Sequence, residues 1–307
     1  MKTAFIFAGQ GAQSVGMGKS LYENSPAAKK IFDEADAVLG WSVTDVCFNG
    51  PEEKLTESKY CQPAIYTVSM ACLAAFQERY GEQIKPCCAA GLSLGEYAAF
   101  ACAGFFRFAD GLRLVAKRGE LMDEACRASE GGMASILGLA PEVIAEVCKE
   151  VGIDVANYNC PGQIVISGPK DLVAQAGAIL KEKGARRVVP LNVAGAFHSR
   201  MMKQAGDALA PVLEATPVDA MTIPAAQNFS GNLESDPAVI KANLREQVAG
   251  SVRWDSCVRT LIEQCGVERF IEFGPGTVLS GLVRKIDGTK SVESISGMEN
   301  IEQFNGQ

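Results

Sequence analysis

Histidine is almost absent: a single imidazole, His198, serves all 307 residues. Chemistry that needs a histidine base has one place to look. Metal-site signatures are missing as well. Eleven cysteines, an odd number, include the adjacent pair Cys87 and Cys88, yet no C-x-x-C spacing and no Cys/His cluster occurs. That argues against a zinc centre or a disulfide framework and for reduced thiols in a cytosol. A basic excess is missing: the formal net charge of −7 is the wrong sign for a nucleic-acid surface, which clusters Lys and Arg. The longest charge-free apolar stretch, "PAIYTVSMACLAAF", falls short of the roughly 20 residues that cross a bilayer. The opening "MKTAFIFAGQGAQ" is too brief for a signal-peptide core. No internal repeat or low-complexity linker interrupts the chain. The expectation is a cytoplasmic protein with neither a membrane nor a nucleic-acid partner.

What is present is an ordinary globular composition, 48% hydrophobic and 21% charged, on a chain long enough for one large core with a smaller inserted domain. Short apolar runs at Thr3–Phe7, Cys87–Leu92, Ile223–Asn228 and Arg269–Phe273 read as buried parallel strands, with helical periodicity between them. That alternation predicts an α/β sheet covered on both faces. Between Gly131 and Ala194 the rhythm becomes strand, helix, strand, strand, helix, strand. Each helix there has Pro at its start and Gly just past its end. This βαββαβ order predicts a ferredoxin-like unit. The fold class expected is α/β, a hydrolase-like parallel-sheet large domain from residues 1–127 and 196–307 with an inserted ferredoxin-like small domain at 128–195. The polar tail after Lys290 reads as peripheral.

The chemistry-bearing motif is Gly91-Leu92-Ser93-Leu94-Gly95, a G-x-S-x-G pentapeptide between the apolar run and "EYAAFACA". A nucleophile elbow needs small residues on both sides of a sharp strand-to-helix turn, so that the hydroxyl stands clear of the sheet above a helix N-terminus. A serine hydroxyl is nearly inert at neutral pH and needs a positioned base, which on this chain points to His198. The spacing of Met201, Ala205, Leu209 and Val212 predicts a helix just after it. The N-terminal partial charge of that helix would disfavour imidazolium and keep the ring neutral. Hydrolases with this elbow place an acid between serine and histidine in chain order. Asp110, Asp123, Asp154 and Asp171 are available, but each has an ordinary helix or strand-end explanation. A backbone carbonyl holding the imidazole tautomer is the alternative.

Plotted at about 100° per residue, "FADGLRLVAKRGELMDEA" places Leu112, Leu114, Val115, Gly119, Leu121 and Met122 on one apolar face, with Arg113, Lys117 and Glu120 opposite. Arg118 falls inside the apolar arc. A buried guanidinium needs an anionic partner. A structural salt bridge, a side chain snorkelling to the rim, or a cavity that receives a substrate carboxylate through two parallel hydrogen bonds all fit.

The ordered set "FIFAGQGAQ", "CQPAIYTVS", "GLSLGEYAA", "KRGELM", "NYNCPGQIVISG", "GAFHSRMM" and "EFGPGTVLSGLV" resembles the malonyl-CoA:acyl carrier protein transacylases, up to about Ile286. The resemblance implies ping-pong transfer of malonyl from malonyl-CoA, through a malonyl-serine ester, to the phosphopantetheine thiol of acyl carrier protein in fatty acid biosynthesis. No bound cofactor and no metal is implied. Ser93 then corresponds to the nucleophile, His198 to the base and Arg118 to the group that pairs with the malonyl carboxylate. The backbone N–H groups of Gln10 and Leu94 correspond to the oxyanion hole. The backbone carbonyl of Gln247 corresponds to the group that orients His198, and Gln62, Asn159 and Phe197 line the substrate pocket. Leu92 departs from the family pattern, in which histidine usually precedes the nucleophile. "GAFHS" resembles the malonyl-selecting form, with Phe197 leaving less room for an α-methyl; one methyl is worth roughly 1–3 kcal/mol of discrimination.

An esterase or thioesterase on the same elbow remains open and expects a carboxylate behind the histidine. A non-catalytic module that only docks a carrier protein expects no acyl-serine. An acidic carrier needs a local basic patch, and Lys181, Lys183, Arg186 and Arg187 are one candidate. The lack of fused modules favours a fatty-acid over a polyketide carrier.

Overall fold

The computed structural model describes residues 1–306. Ten strands, numbered in chain order, form two sheets. The larger contains β1 (Thr3–Phe7), β2 (Pro86–Gly91), β7 (Ala225–Ala226), β8 (Leu233–Glu234), β9 (Arg269–Phe273) and β10 (Ser291–Ile295) in the order β10-β9-β1-β2-β7-β8. All neighbours pair in parallel except the edge pair β7/β8. Side chains alternate along β1: Phe5 and Phe7 enter the larger hydrophobic core, while Ala4 and Ile6 enter a second core on the opposite face. Each face is covered by helices, which is why these strands read as continuous apolar runs. Phe5 and Phe7 both meet Phe273, with ring centroids 4.8 and 5.7 Å apart.

The smaller sheet contains β3 (Gly131–Leu137), β4 (Asp154–Cys160), β5 (Gln163–Pro169) and β6 (Arg187–Pro190), antiparallel throughout in the order β4-β5-β3-β6. Helices Pro141–Val151 and Lys170–Glu182 pack on it around a core of their own. This is the ferredoxin-like arrangement that the βαββαβ pattern predicts. A seam of hydrogen bonds joins β4 to the large domain: Val252 N–H donates to Ala156 O at 2.8 Å and Tyr158 N–H to Val252 O at 2.9 Å. The Ser251 hydroxyl donates to Val155 O at 2.6 Å.

Two expectations are corrected. Of the run Ile223–Asn228, only Ala225–Ala226 lies in the sheet. Pro224 has no N–H for a ladder, and the Gln227 and Asn228 amides donate to Asn232 O and to the Glu96 carboxylate instead. The tail beyond Lys290 is structural: Ser291–Ile295 pairs with β9, and Phe304 packs against Phe76 and Tyr80 at centroid distances of 5.0 and 5.1 Å.

The chain leaves β1 toward β2 on one side, and β9 flanks β1 on the other. The carboxyl ends of these strands therefore form a topological switch point, where open α/β sheets bind ligands. The loops after β1, β2 and β9 meet there.

Candidate active site

A cleft of about 530 Å³ opens at this point. Gln10, Leu92, Ser93, Val278 and Leu279 line its large-sheet wall. Met133, Asn157, Asn159 and Val165 line the small-sheet wall, with Phe197 and His198 between them.

The elbow is dictated by its glycines. A Cβ at Gly91 would sit 1.9 Å from Gly95 O, and one at Gly95 would sit 2.2 Å from Phe7 O. Only hydrogen fits where the turn folds back on its own strand and crosses β1. Ser93 adopts φ 53° and His198 φ 56°, the only non-glycine residues with positive φ among those described. Each such conformation costs about 1–3 kcal/mol and persists where the surroundings over-determine it.

Ser93 Oγ lies 2.7 Å from His198 Nε2, and His198 Nδ1 lies 2.8 Å from the backbone carbonyl of Gln247. A carbonyl can only accept, so Nδ1 carries the proton and the Nε2 lone pair faces the hydroxyl. Burial, reinforced by the nearby Arg118 charge, pushes the imidazole down to about 4, against the hydrogen bond to Gln247. The ring is neutral at physiological pH and able to take a proton. The expected helix is split: a 3-10 turn, Arg200–Met202, precedes the helix Lys203–Ala215. Burial and a neighbouring cation, rather than that helix terminus, account for the depressed value.

None of the four candidate acids faces His198. Asp123 accepts the Ser58 and Lys59 N–H groups at 2.9 and 3.1 Å, capping the helix Ser58–Tyr80. Asp154 pairs with Arg200, Asp110 pairs with Arg113, and Asp171 lies in the first turn of its own helix. The esterase reading expects a carboxylate at Nδ1, where the structure has the Gln247 carbonyl.

Arg118, on the helix Phe108–Arg127, is 1% exposed. Its Nη1 donates to Gln62 Oε1 at 2.7 Å, and its Nη2 donates to Gln247 Oε1 at 2.9 Å and to Ser93 Oγ at 3.0 Å. The guanidinium lies over the Tyr97 ring, 5.4 Å from its centroid. Among the described residues no carboxylate comes within ion-pair distance of it. Neutral acceptors hold a buried cation whose charge is left for another anion, and burial lowers its proton affinity.

Gln62 is placed differently from the expectation. It is fully buried and supports Arg118 from behind, while its Nε2 donates to Gln10 Oε1 at 3.3 Å, so it does not line the cleft. Asn159 and Phe197 do line it. The Gln10 and Leu94 amides lie outside the helix and sheet ladders and donate to no backbone carbonyl among the described residues. Sequence reading misses the contacts of three residues: the Gln247 side chain, Asn228 and Glu96. The Gln247 side chain donates to Ser93 O at 2.9 Å and to Glu96 Oε2 at 2.7 Å. Asn228 Oδ1 accepts the Ser93 N–H at 2.5 Å, and Asn228 Nδ2 donates to Gly91 O at 2.8 Å. Glu96, 1% exposed, accepts from both Gln247 and Asn228. Burial pushes its carboxyl up to about 7 against those hydrogen bonds and the Arg118 charge. A glutamate one residue past the elbow in a wholly apolar helix was the available signal.

The acyl transferase domain family matches residues 4–303. A Bacillus subtilis protein named malonyl CoA-acyl carrier protein transacylase is 45% identical over 98% of this chain and 95% of the relative. An acyl carrier protein S-malonyltransferase crystal structure from Vibrio cholerae superposes with a TM-score of 0.94, at 39% identity over 98% of this chain and 99% of that one. A structure described as a type II PKS acyl-carrier protein in complex with its malonyl-transacylase gives 0.94 at 38% identity, covering 98% of each chain. With a family match over residues 4–303 and relatives alike in sequence and topology over almost the whole length, this chain belongs to the acyl transferase domain family.

Proposed function

We propose that this chain transfers malonyl from malonyl-CoA to the phosphopantetheine thiol of an acyl carrier protein of fatty acid or polyketide synthesis, through a malonyl ester on Ser93. Ser93 Oγ attacks the thioester carbonyl as its proton passes to His198 Nε2. The C–S bond breaks, and the CoA thiolate leaves with that proton. In the second half the pantetheine thiol gives its proton to Nε2, the sulfur attacks the ester, the C–O bond breaks and the proton returns to Oγ. The backbone N–H groups of Gln10 and Leu94 serve the oxyanion at both stages, and the Gln247 carbonyl maintains the tautomer.

The single observation that carries malonyl selectivity is Arg118, buried beside Ser93 Oγ without a carboxylate partner. Before acylation its Nη2 rests on the hydroxyl. Once Oγ becomes an ester oxygen, a weaker acceptor, that N–H is released to the free carboxylate of the acyl group. Asn159 and Phe197 bound the acyl chain on the opposite side. The eleven free cysteines accord with a cytoplasmic location, and among the described residues no helix is long and apolar enough to cross a membrane.

The test is intact-mass analysis after brief exposure to malonyl-CoA, with digestion to locate the adduct. The expected result is one malonyl group on Ser93, retained without a thiol, discharged by holo-acyl carrier protein and absent in Ser93→Ala. No adduct on the wild-type chain, or rapid loss to water alone, would end the reading.

A further inference from the structure

Glu96 lies behind the cleft rather than in it, on the helix Gly95–Cys102. One of its oxygens, Oε2, collects two donors: Gln247 Nε2 at 2.7 Å and the Asn228 N–H at 3.1 Å. Each donor residue touches the reacting groups. Asn228 holds the elbow from both sides, through the Ser93 N–H and the Gly91 carbonyl. Gln247 holds His198 through its backbone carbonyl, and Arg118 and the Ser93 carbonyl through its side chain. Apart from the Arg118 contact with Gln62, the hydrogen bonds that Gln247 and Asn228 make to Ser93, His198 and Arg118 thus lie one residue away from a single carboxylate oxygen.

The side-chain amide of Gln247 has a direction, and its three neighbours, Arg118, the Ser93 carbonyl and Glu96, agree on it. A guanidinium only donates and a backbone carbonyl only accepts, and Glu96 Oε2 accepts from the same Nε2 that bonds the Ser93 carbonyl. The amide oxygen must therefore face Arg118 and the NH2 must face Glu96, giving a chain guanidinium to amide to carboxylate. Hydrogen bonds in such a chain polarise one another. Reversal would bring the amide NH2 against the guanidinium and leave a buried donor and acceptor unmatched. The relay has a second effect. A carboxylate in direct contact with Arg118 would occupy the positions that a substrate carboxylate needs. Held one amide away, Glu96 attracts the guanidinium and leaves its Ser93-facing side available.

Resting on the reading of Arg118 as the malonyl clamp, we propose that Glu96 is a positioning residue for acyl selection. Through Gln247 and Asn228 it fixes the direction of the Gln247 amide and so holds Arg118 and Ser93 in the arrangement that favours acyl groups bearing a free carboxylate.

The test compares wild type, E96A, E96Q and R118A in full-length protein. kcat and KM are measured for malonyl-CoA and acetyl-CoA and normalised to the fraction of protein that acylates at Ser93, with thermal melting alongside. Leaving the buried Gln247 and Asn228 donors unpaired should lower the malonyl-to-acetyl ratio of kcat/KM in E96A by roughly tenfold or more. In E96Q an amide oxygen can take the place of Oε2 and receive both N–H groups, and the ratio should return to within about threefold of wild type. A merely structural role predicts a lower melting temperature and fewer active sites at an unchanged ratio. An unchanged ratio in E96A, or no recovery in E96Q, overturns the proposal. If E96A does not fold, E96D takes its place: it keeps the charge but withdraws the acceptor by one methylene, and a wild-type ratio there is equally fatal. R118A separates the two levels. If its ratio matches wild type, the clamp reading has failed; if R118A shifts the ratio and E96A does not, only the role of Glu96 has failed.

Discussion

The two walls of the cleft are built on opposite plans. On the large-sheet side Ser93 and His198 reach the cleft, and behind them the buried Arg118, Gln247, Asn228 and Glu96 complete a connected polar set joined by hydrogen bonds of 2.5–3.1 Å. On the small-sheet wall Met133 and Val165 present apolar surface, and the buried Asn159 Oδ1 has no partner among the described residues. The first set is held by its own hydrogen bonds, as catalysis by pre-organised groups requires, although Arg118 Nε and Glu96 Oε1 have no partner among the described residues. The other offers shape and an unused acceptor. Substitutions in the first set should damage rate and the choice between acyl groups, and those on the second wall should change how tightly ligands fit.

The strongest challenge to this contrast is His198→Ala. Loss of the base should slow Ser93 acylation by about 10²–10⁴-fold with little change in KM, measured by rapid-quench mass spectrometry; a larger effect on KM than on kcat would break it. Next, Arg118→Ala should lower malonyl transfer by roughly ten- to a hundredfold, the equivalent of about 1.5–3 kcal/mol for charge-assisted hydrogen bonds, while acetyl transfer falls less. Equal losses for the two acyl groups would remove selectivity from this wall. On the other wall, Asn159→Ala should raise KM for malonyl-CoA by about three- to tenfold, the worth of one neutral hydrogen bond, and leave kcat near wild type. Smallest of all, Leu92→His should alter kcat/KM by no more than roughly threefold, since the Leu92 side chain lines the cleft but packs with the second core, and its hydrogen bonds to Phe7 and Gly95 are made by the backbone.

Acidity sharpens the same contrast. With His198 depressed to about 4 from 6.5, the acid limb of acylation should lie near pH 4; a limb near 6.5 in single-turnover rates would mean that the ring is solvated. The depressed value contributes stability that is present above pH 6.5 and is lost as pH falls through 4. Glu96, raised from 4.5 to about 7, acts in the opposite sense. Its contribution is present below pH 4.5 and is lost as pH rises through 7.

The division between the walls also explains what could be read from sequence. Strands with continuous apolar runs, β1 and β9, are legible because both faces are buried, and the small sheet is legible because Pro and Gly punctuate its helices. Arg118 stands out because a charge on an apolar arc violates the helical pattern. Gln247 is half legible: the resemblance implies its backbone carbonyl, but its side-chain contacts depend on elements far apart in the chain. Glu96 is signalled only by its charge in an otherwise apolar helix, which does not name its partners, and Asn228 sits where apolar flanks suggest more strand. Polar side chains that take their meaning from partners more than 130 residues away leave no periodic trace. Gln62 shows the converse, a position implied by resemblance whose place, one layer behind the cleft, only the packing of two helices reveals.

The left-handed backbone at Ser93 also restricts which replacements the elbow will accept. Threonine carries the same hydroxyl, but its branched Cβ crowds the neighbouring carbonyl in that conformation. Evolution and the protein engineer are therefore left with unbranched options. A Ser93→Cys exchange keeps the turn and substitutes a thiol, whereas Ser93→Thr keeps the functional group and forfeits the bend that aims it.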